Sequence, residues 1–142
     1  MKYKLLVIGI LFVMVLSTAG CSAGNVSVEF TCDDFSESNH ITHDISTAVG
    51  SEIEITLCSN PTTGFEWDEV QISDTSALKL VNREFLAPGS PDNPPAPGTA
   101  GKEVLTFKAL KQGTSTAKIE YSRPWEGGEK GVWTYEMTVN AK

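Results

Sequence analysis

Basic side chains are scarce in this chain: 11 lysines and arginines stand against 18 aspartates and glutamates, for a net charge of −7. That balance excludes a nucleic-acid partner, which requires a basic footprint to displace counterions. It also leaves no polybasic patch for anionic lipid headgroups. Histidine occurs only twice and cysteine three times. There is no close Cys-x-x-Cys redox pair, no Gly-x-Ser-x-Gly elbow and no phosphate-cradling glycine loop. His40 and His43 form a His-x-x-His near Cys32, Asp33, Asp34 and Cys58 in sequence. This spacing fits no closed zinc pattern, and on a strand the two rings face opposite sides. A solvated segment is the reading, with no metal, no cofactor and no catalytic residue expected. Helical periodicity is lacking too, so no substantial helix is expected.

The one long apolar run lies at the start. Lys2 and Lys4 precede an unbroken apolar stretch over residues 5–16, followed by Ser17, Thr18, Ala19, Gly20 and then Cys21. A basic start, a stretch too short to span a bilayer and a small-residue exit make residues 1–20 a secretory signal peptide. Cysteine directly after Ala-Gly resembles the bacterial lipoprotein signal, although that pattern usually has leucine where Thr18 stands. The resemblance implies lipidation at Cys21 and a cell-envelope location, with the lipid as the only membrane tie. Ordinary cleavage after Ala19 or Ala23, giving a soluble secreted protein, is the alternative. Loss of residues 1–20 removes two of the 11 basic residues and no acid, leaving 9 against 18, a net of −9.

Residues 21–24 read as a short tether and 25–142 as one domain of ordinary size. Period-two alternation runs through it, in 26–30, 41–45, 53–57, 65–72, 78–85, 103–110, 117–121 and 133–139. Residues 73–77 read as a turn. Gly, Pro and Asn clusters punctuate the gaps. Seven or eight short strands at this spacing predict an all-β fold, an immunoglobulin-like antiparallel β-sandwich, with a closed barrel as the competing architecture. Residues 87–98 hold most of the prolines and nothing to bury, as expected of a long excursion from a sheet edge.

In an oxidising compartment Cys32 and Cys58 are expected to bridge. Parity argues against it: Cys32 is in phase with the inward Val26, Val28 and Phe30, whereas Cys58 is in phase with the outward Glu52, Glu54 and Thr56. A bulge or strand end would reconcile the two.

Two loops stand out. In Asn60-Pro61-Thr62-Thr63-Gly64-Phe65, Pro61 fixes its own φ and keeps Asn60 out of the helical region. The threonines are stiff at χ1, and Gly64 permits the positive φ that turns the chain back. Alone, this is a well-built turn. Arg123-Pro124-Trp125 places a tryptophan in a polar, glycine-rich loop, where it either folds back on its own sandwich or stands as an anchor for a partner. Trp133 and Trp67 are in phase with core positions.

The two motifs together resemble the signature of the chagasin-type inhibitors of papain-like cysteine peptidases. That family carries an Asn-Pro-Thr-Thr-Gly-aromatic loop, a Gly-rich loop and an Arg-Pro-Trp loop in this order, at one end of an immunoglobulin-like sandwich. Gly98-Thr99-Ala100-Gly101 is the nearest match to the second loop, with Ala100 where glycine is usual. The resemblance implies a reversible, competitive inhibitor, acting as a monomer, whose three loops wedge into the peptidase cleft with Thr62 and Thr63 over the catalytic cysteine. A non-inhibitory immunoglobulin-like lipoprotein binding carbohydrate, peptide or an envelope protein is the alternative.

Overall fold

The computed structural model describes residues 24–142; residues 1–23, with the leader and Cys21, lie outside the described part. In chain order the elements are β1 (Asn25–Phe30), α1 (Cys32–Glu37), β2 (His40–Thr47), β3 (Glu52–Ser59), a 3-10 turn (Pro61–Thr63), β4 (Glu66–Trp67), β5 (Gln71–Ile72), β6 (Leu78–Leu86), β7 (Gly101–Ala109), β8 (Gly113–Ser122) and β9 (Trp133–Ala141). Two sheets form. One is ordered β1-β3-β7-β6, the other β2-β9-β8-β4, with β5 also pairing β8. Neither closes on itself, so the architecture is the sandwich and not the barrel.

The sheets are mixed, where the sequence led us to expect antiparallel pairing throughout. β1 runs parallel to β3, with Val26 opposite Ile53 and Phe30 opposite Leu57. β2 runs parallel to β9, with Ile41 opposite Tyr135. The reason is connectivity. After β1 the chain crosses to the other sheet as β2 and returns as β3, so neither parallel pair is a hairpin, and alternation fixes a strand's faces but not its direction.

The inner faces carry the alternating apolar residues. Ile53, Ile55 and Leu57 meet Leu105 and Phe107 in one sheet, and Ile119, Tyr121, Tyr135, Met137 and Val139 line the other. Burial pushes the Tyr135 phenol pKa up,. Glu103 shares the inward parity of Leu105 and is 8% exposed. It is satisfied by Arg83 Nε at 2.5 Å. The same guanidinium donates to the carbonyls of Trp67 and Asp68. Arg83 therefore ties β6 of one sheet to β4 of the other.

Residues 65–72, expected as one strand, are two short ones. At Asp68 the carboxylate accepts from Ser122 Oγ at 2.8 Å, and β8 pairs Trp67 with Tyr121 but Ile72 with Ala117. Residues 73–77 form the expected turn, with Asp74 accepting from Ser76 N and Oγ.

The short helix α1 was not expected. Its start is a capping box: Asp34 N–H donates to Thr31 Oγ1, and Thr31 N–H donates back to the Asp34 carboxylate at 2.6 Å,. The Thr31 hydroxyl, which also donates to the Asp34 carboxylate, and then the Thr31 N–H hold that carboxyl below its ordinary pKa. Phe35, the buried residue of α1, packs on Trp67 and stacks on Trp133, with centroids 5.4 and 5.1 Å away. Cys32 opens α1 instead of continuing β1, which removes the parity conflict. It is bridged to Cys58, with Cα atoms 5.1 Å apart.

Candidate functional site

Loop one begins where β3 ends. Asn60 N–H donates to Tyr121 Oη at 2.7 Å, anchoring the loop to the buried wall of β8. Pro61–Thr63 then wind into a 3-10 turn, closed by Thr63 N–H to the Asn60 carbonyl at 3.1 Å and Gly64 N–H to the Pro61 carbonyl at 2.9 Å. The side chains reinforce the turn. Thr62 Oγ1 donates to Asn60 Oδ1 at 2.6 Å, and Thr63 Oγ1 to the Asn60 carbonyl at 2.7 Å. Gly64 closes the turn in the left-handed region at φ +81°, a conformation that costs a side-chain-bearing residue about 1–2 kcal/mol.

Loop three, residues 123–131, is braced from within. Arg123 N–H donates to the Glu129 carbonyl at 2.8 Å, and Gly128 N–H to the Trp125 carbonyl at 3.1 Å. The Arg123 guanidinium pairs with Glu129 at 3.0 Å and lies 4.3 Å over the Phe65 ring. A further Arg123 N–H approaches the Thr63 carbonyl at 3.4 Å. Lys130 Nζ donates to the Arg123 carbonyl. Trp125 is 51% exposed, yet it is not detached. A Cβ on Gly64 would stand 2.6 Å from its ring carbon Cη2. The edge of the indole's six-membered ring thus abuts loop one at Gly64, while about half of the residue stays exposed.

Loop two, residues 87–100, reaches the same end through Asn60, whose Nδ2 donates to the Gly98 carbonyl at 2.8 Å. Gly98 itself has φ +81° and Thr99 turns back onto the Ala96 carbonyl. Ala100 packs against the core. Gly101 is already in β7 opposite Ser59, where a side chain would collide with the Leu86 carbonyl. The exposed part of this loop therefore ends at Thr99.

The structure brings all three loops to one end of the sandwich. Their members divide by position: Thr62, Thr99 and Trp125 present surface, while Phe65, half-buried, stacks on Tyr121 at 5.5 Å and carries the Arg123 guanidinium over its ring. Sequence reasoning missed Tyr121 and Phe35 as supports of this end. The alternation marked Tyr121 only as core, and the Thr31-x-x-Asp34 box was the available signal for α1. Cys32 and Cys58 are joined to each other, so neither is a free thiol.

Residues 46–139 match the model of the chagasin family of peptidase inhibitors, I42. The chain belongs to the chagasin family. It is 33% identical over 89 residues to amoebiasin-2 of Entamoeba histolytica, covering 61% of this chain and 69% of that protein. To chagasin of Trypanosoma cruzi it is 33% identical over 86 residues, covering 58% of this chain and 74% of that protein. The crystal structure of a cysteine protease inhibitor of Entamoeba histolytica, EhICP2, superposes with a TM-score of 0.61 at 28% identity, covering 83% of this chain and 97% of that one. As a member of the chagasin family the chain is a peptidase inhibitor and not an enzyme.

Proposed function

We propose that the chain inhibits papain-like cysteine peptidases reversibly and competitively, by seating loop one in the active-site cleft with loops two and three on its flanks. The observation that carries this reading is the joining of residues 60–65 and 123–125, some sixty positions apart, into one ridge with Trp125 against Gly64.

A papain-like peptidase attacks with a thiolate paired to a histidine at the bottom of its cleft. Attack needs a carbonyl held in near-attack geometry. In loop one the backbone is wound into a 3-10 turn whose amide hydrogens bond inward, so Thr62 and Thr63 fill the space above the thiolate without offering an extended scissile bond. Inhibition is then occlusion, with no covalent step. The loops are cross-linked before binding by Asn60, Arg123 and Trp125, so little conformational freedom is lost on docking, and a modest interface binds tightly. Trp125 serves as the aromatic anchor, set beside Arg123 in the pairing common at interface hot spots.

The reading extends to location and state: a monomer, exported through its leader and held at the cell envelope by lipid on Cys21. The leader pattern Lys2 to Cys21 supports the location, and mass spectrometry of the mature N-terminus tests it; sedimentation of the folded domain tests the monomer.

The functional test is titration of papain and a cathepsin L-like enzyme with protein beginning after Cys21. Stoichiometric, reversible loss of activity that excess substrate relieves is the expected outcome. A folded domain that leaves both enzymes fully active at micromolar concentration overturns the reading.

A further inference from the structure

Beside the ridge lies an apolar depression of about 440 Å³ open to solvent. Its walls include the Tyr121 and Trp133 rings, stacked 4.9 Å apart and 10° from parallel. Val132 and Cys32 contribute to the lining, as do Thr63 and Arg123. The last two belong to the loops of the proposed wedge. Cys32 comes from α1, outside the residues 46–139 that match the family model. It is fixed by the bridge to Cys58, two residues before Asn60.

We infer that this depression is a fourth contact of the inhibitor, a socket for one apolar side chain, aliphatic or aromatic, projecting from the rim of the peptidase cleft. The inference rests on the inhibitor reading above. Three observations lead to it. Thr63 and Arg123 are shared by the ridge and the socket, so a cleft that closes around loop one brings its wall over the opening. The lining is dominated by rings and aliphatic carbon, the chemistry that marks the centre of protein interfaces. The charged group present is largely engaged, since the Arg123 guanidinium pairs with Glu129 and covers Phe65, leaving its Nε–H as the one buried donor of that group without a partner. A charged or amide side chain entering here would lose its water for at most one bond, from the Arg123 Nε–H,, whereas an apolar one buries its surface against the rings.

The N-terminal segment acquires a role through this socket. α1 is short and contributes one buried side chain, Phe35. That ring backs Trp133, and the bridge holds Cys32 at the socket edge. Through Cys32, α1 and the bridge supply an edge of the socket that the matched residues alone lack. Peptidases differing in the size of one rim residue would then be distinguished by this edge, while loop one blocks them all.

The test uses the folded chain from residue 22 and a papain-like enzyme that it inhibits. Absence of any inhibition by the unaltered protein would count against the functional reading as a whole. Given inhibition, Val132→Asp places a carboxylate at the socket while leaving the Val132 N–H bond to the Tyr121 carbonyl in place. At least tenfold weaker inhibition by this variant, with an unchanged melting temperature, is expected. Inhibition within twofold of the unaltered protein would overturn the socket. Should the variant unfold, a photo-crosslinking benzoylphenylalanine at position 33, on the first turn of α1, replaces it. Crosslinking to the peptidase's cleft rim supports the proposal. Crosslinking from position 125 but not from position 33 overturns it.

Discussion

Trp125 lies against Gly64 so closely that a methyl group on Gly64 would stand 2.6 Å from its ring. Two independent demands therefore fall on one residue: the positive φ that closes the 3-10 turn and the bare surface on which the indole rests. Gly64→Ala meets neither. The backbone cost alone is about 1–2 kcal/mol, and the indole must also move. The variant is expected to melt at lower temperature and to inhibit at least tenfold more weakly. An inhibition constant within twofold of the parent would show that the ridge tolerates a displaced tryptophan.

Trp125→Ala separates anchoring from folding. The indole is half-exposed and outside the core, so stability is expected to change by only about 0.5 kcal/mol. Binding is expected to weaken by about 2 kcal/mol or more, as truncation of aromatic anchors does. Parallel inhibition assays and thermal melts decide. A large fall in melting temperature would mean that Trp125 holds loop one together and is more than an anchor.

The loops were legible in the sequence because their residue types are locally demanding. Asn-Pro-Thr-Thr-Gly specifies a tight turn by itself, and Arg-Pro-Trp has no reason to stand in a polar loop unless it packs on something. The sandwich was legible from alternation. Strand direction was not, because a parallel pair such as Val26 with Ile53 and an antiparallel pair such as Leu57 with Glu103 present the same period of two. α1 escaped because six residues with one buried side chain, Phe35, give no helical period. Reading β1 onward through Cys32 then produced a false parity for the bridge. The contact of Trp125 with Gly64 depends on how two distant loops fold back, and neither loop's composition encodes it.

Tyr121 is expected to support loop one through a single atom. Its hydroxyl accepts the Asn60 N–H at 2.7 Å, while its ring stacks with Trp133 and Phe65. Tyr121→Phe keeps the stacking and removes the acceptor, leaving a part-buried N–H without a partner. A loss of about 1–3 kcal/mol in stability is expected, read by denaturant unfolding. Weaker inhibition with the peptidase-facing side chains unchanged would show that the loop's position, and not only its composition, sets affinity.

The Cys32–Cys58 bridge closes a loop of sequence separation 26. On the chain-entropy account such a loop contributes about 3–4 kcal/mol by restricting the unfolded chain. The double variant Cys32→Ser/Cys58→Ser is therefore expected to unfold at lower denaturant concentration by that amount. β3 and the core below it remain packed, so the sandwich should persist, and the local consequence falls on α1. Faster hydrogen exchange in residues 32–37 than in residues 53–57 is the expected signature. The comparison has practical weight because assays of a cysteine peptidase require a reduced thiol, and the same reductant acts on this bridge. Inhibition measured with and without reductant, on the parent and the double variant, separates the two effects. If the parent weakens in reductant and the serine variant does not respond, the bridge is what positions the loop end. Equal inhibition in all four cases would confine the bridge to stability.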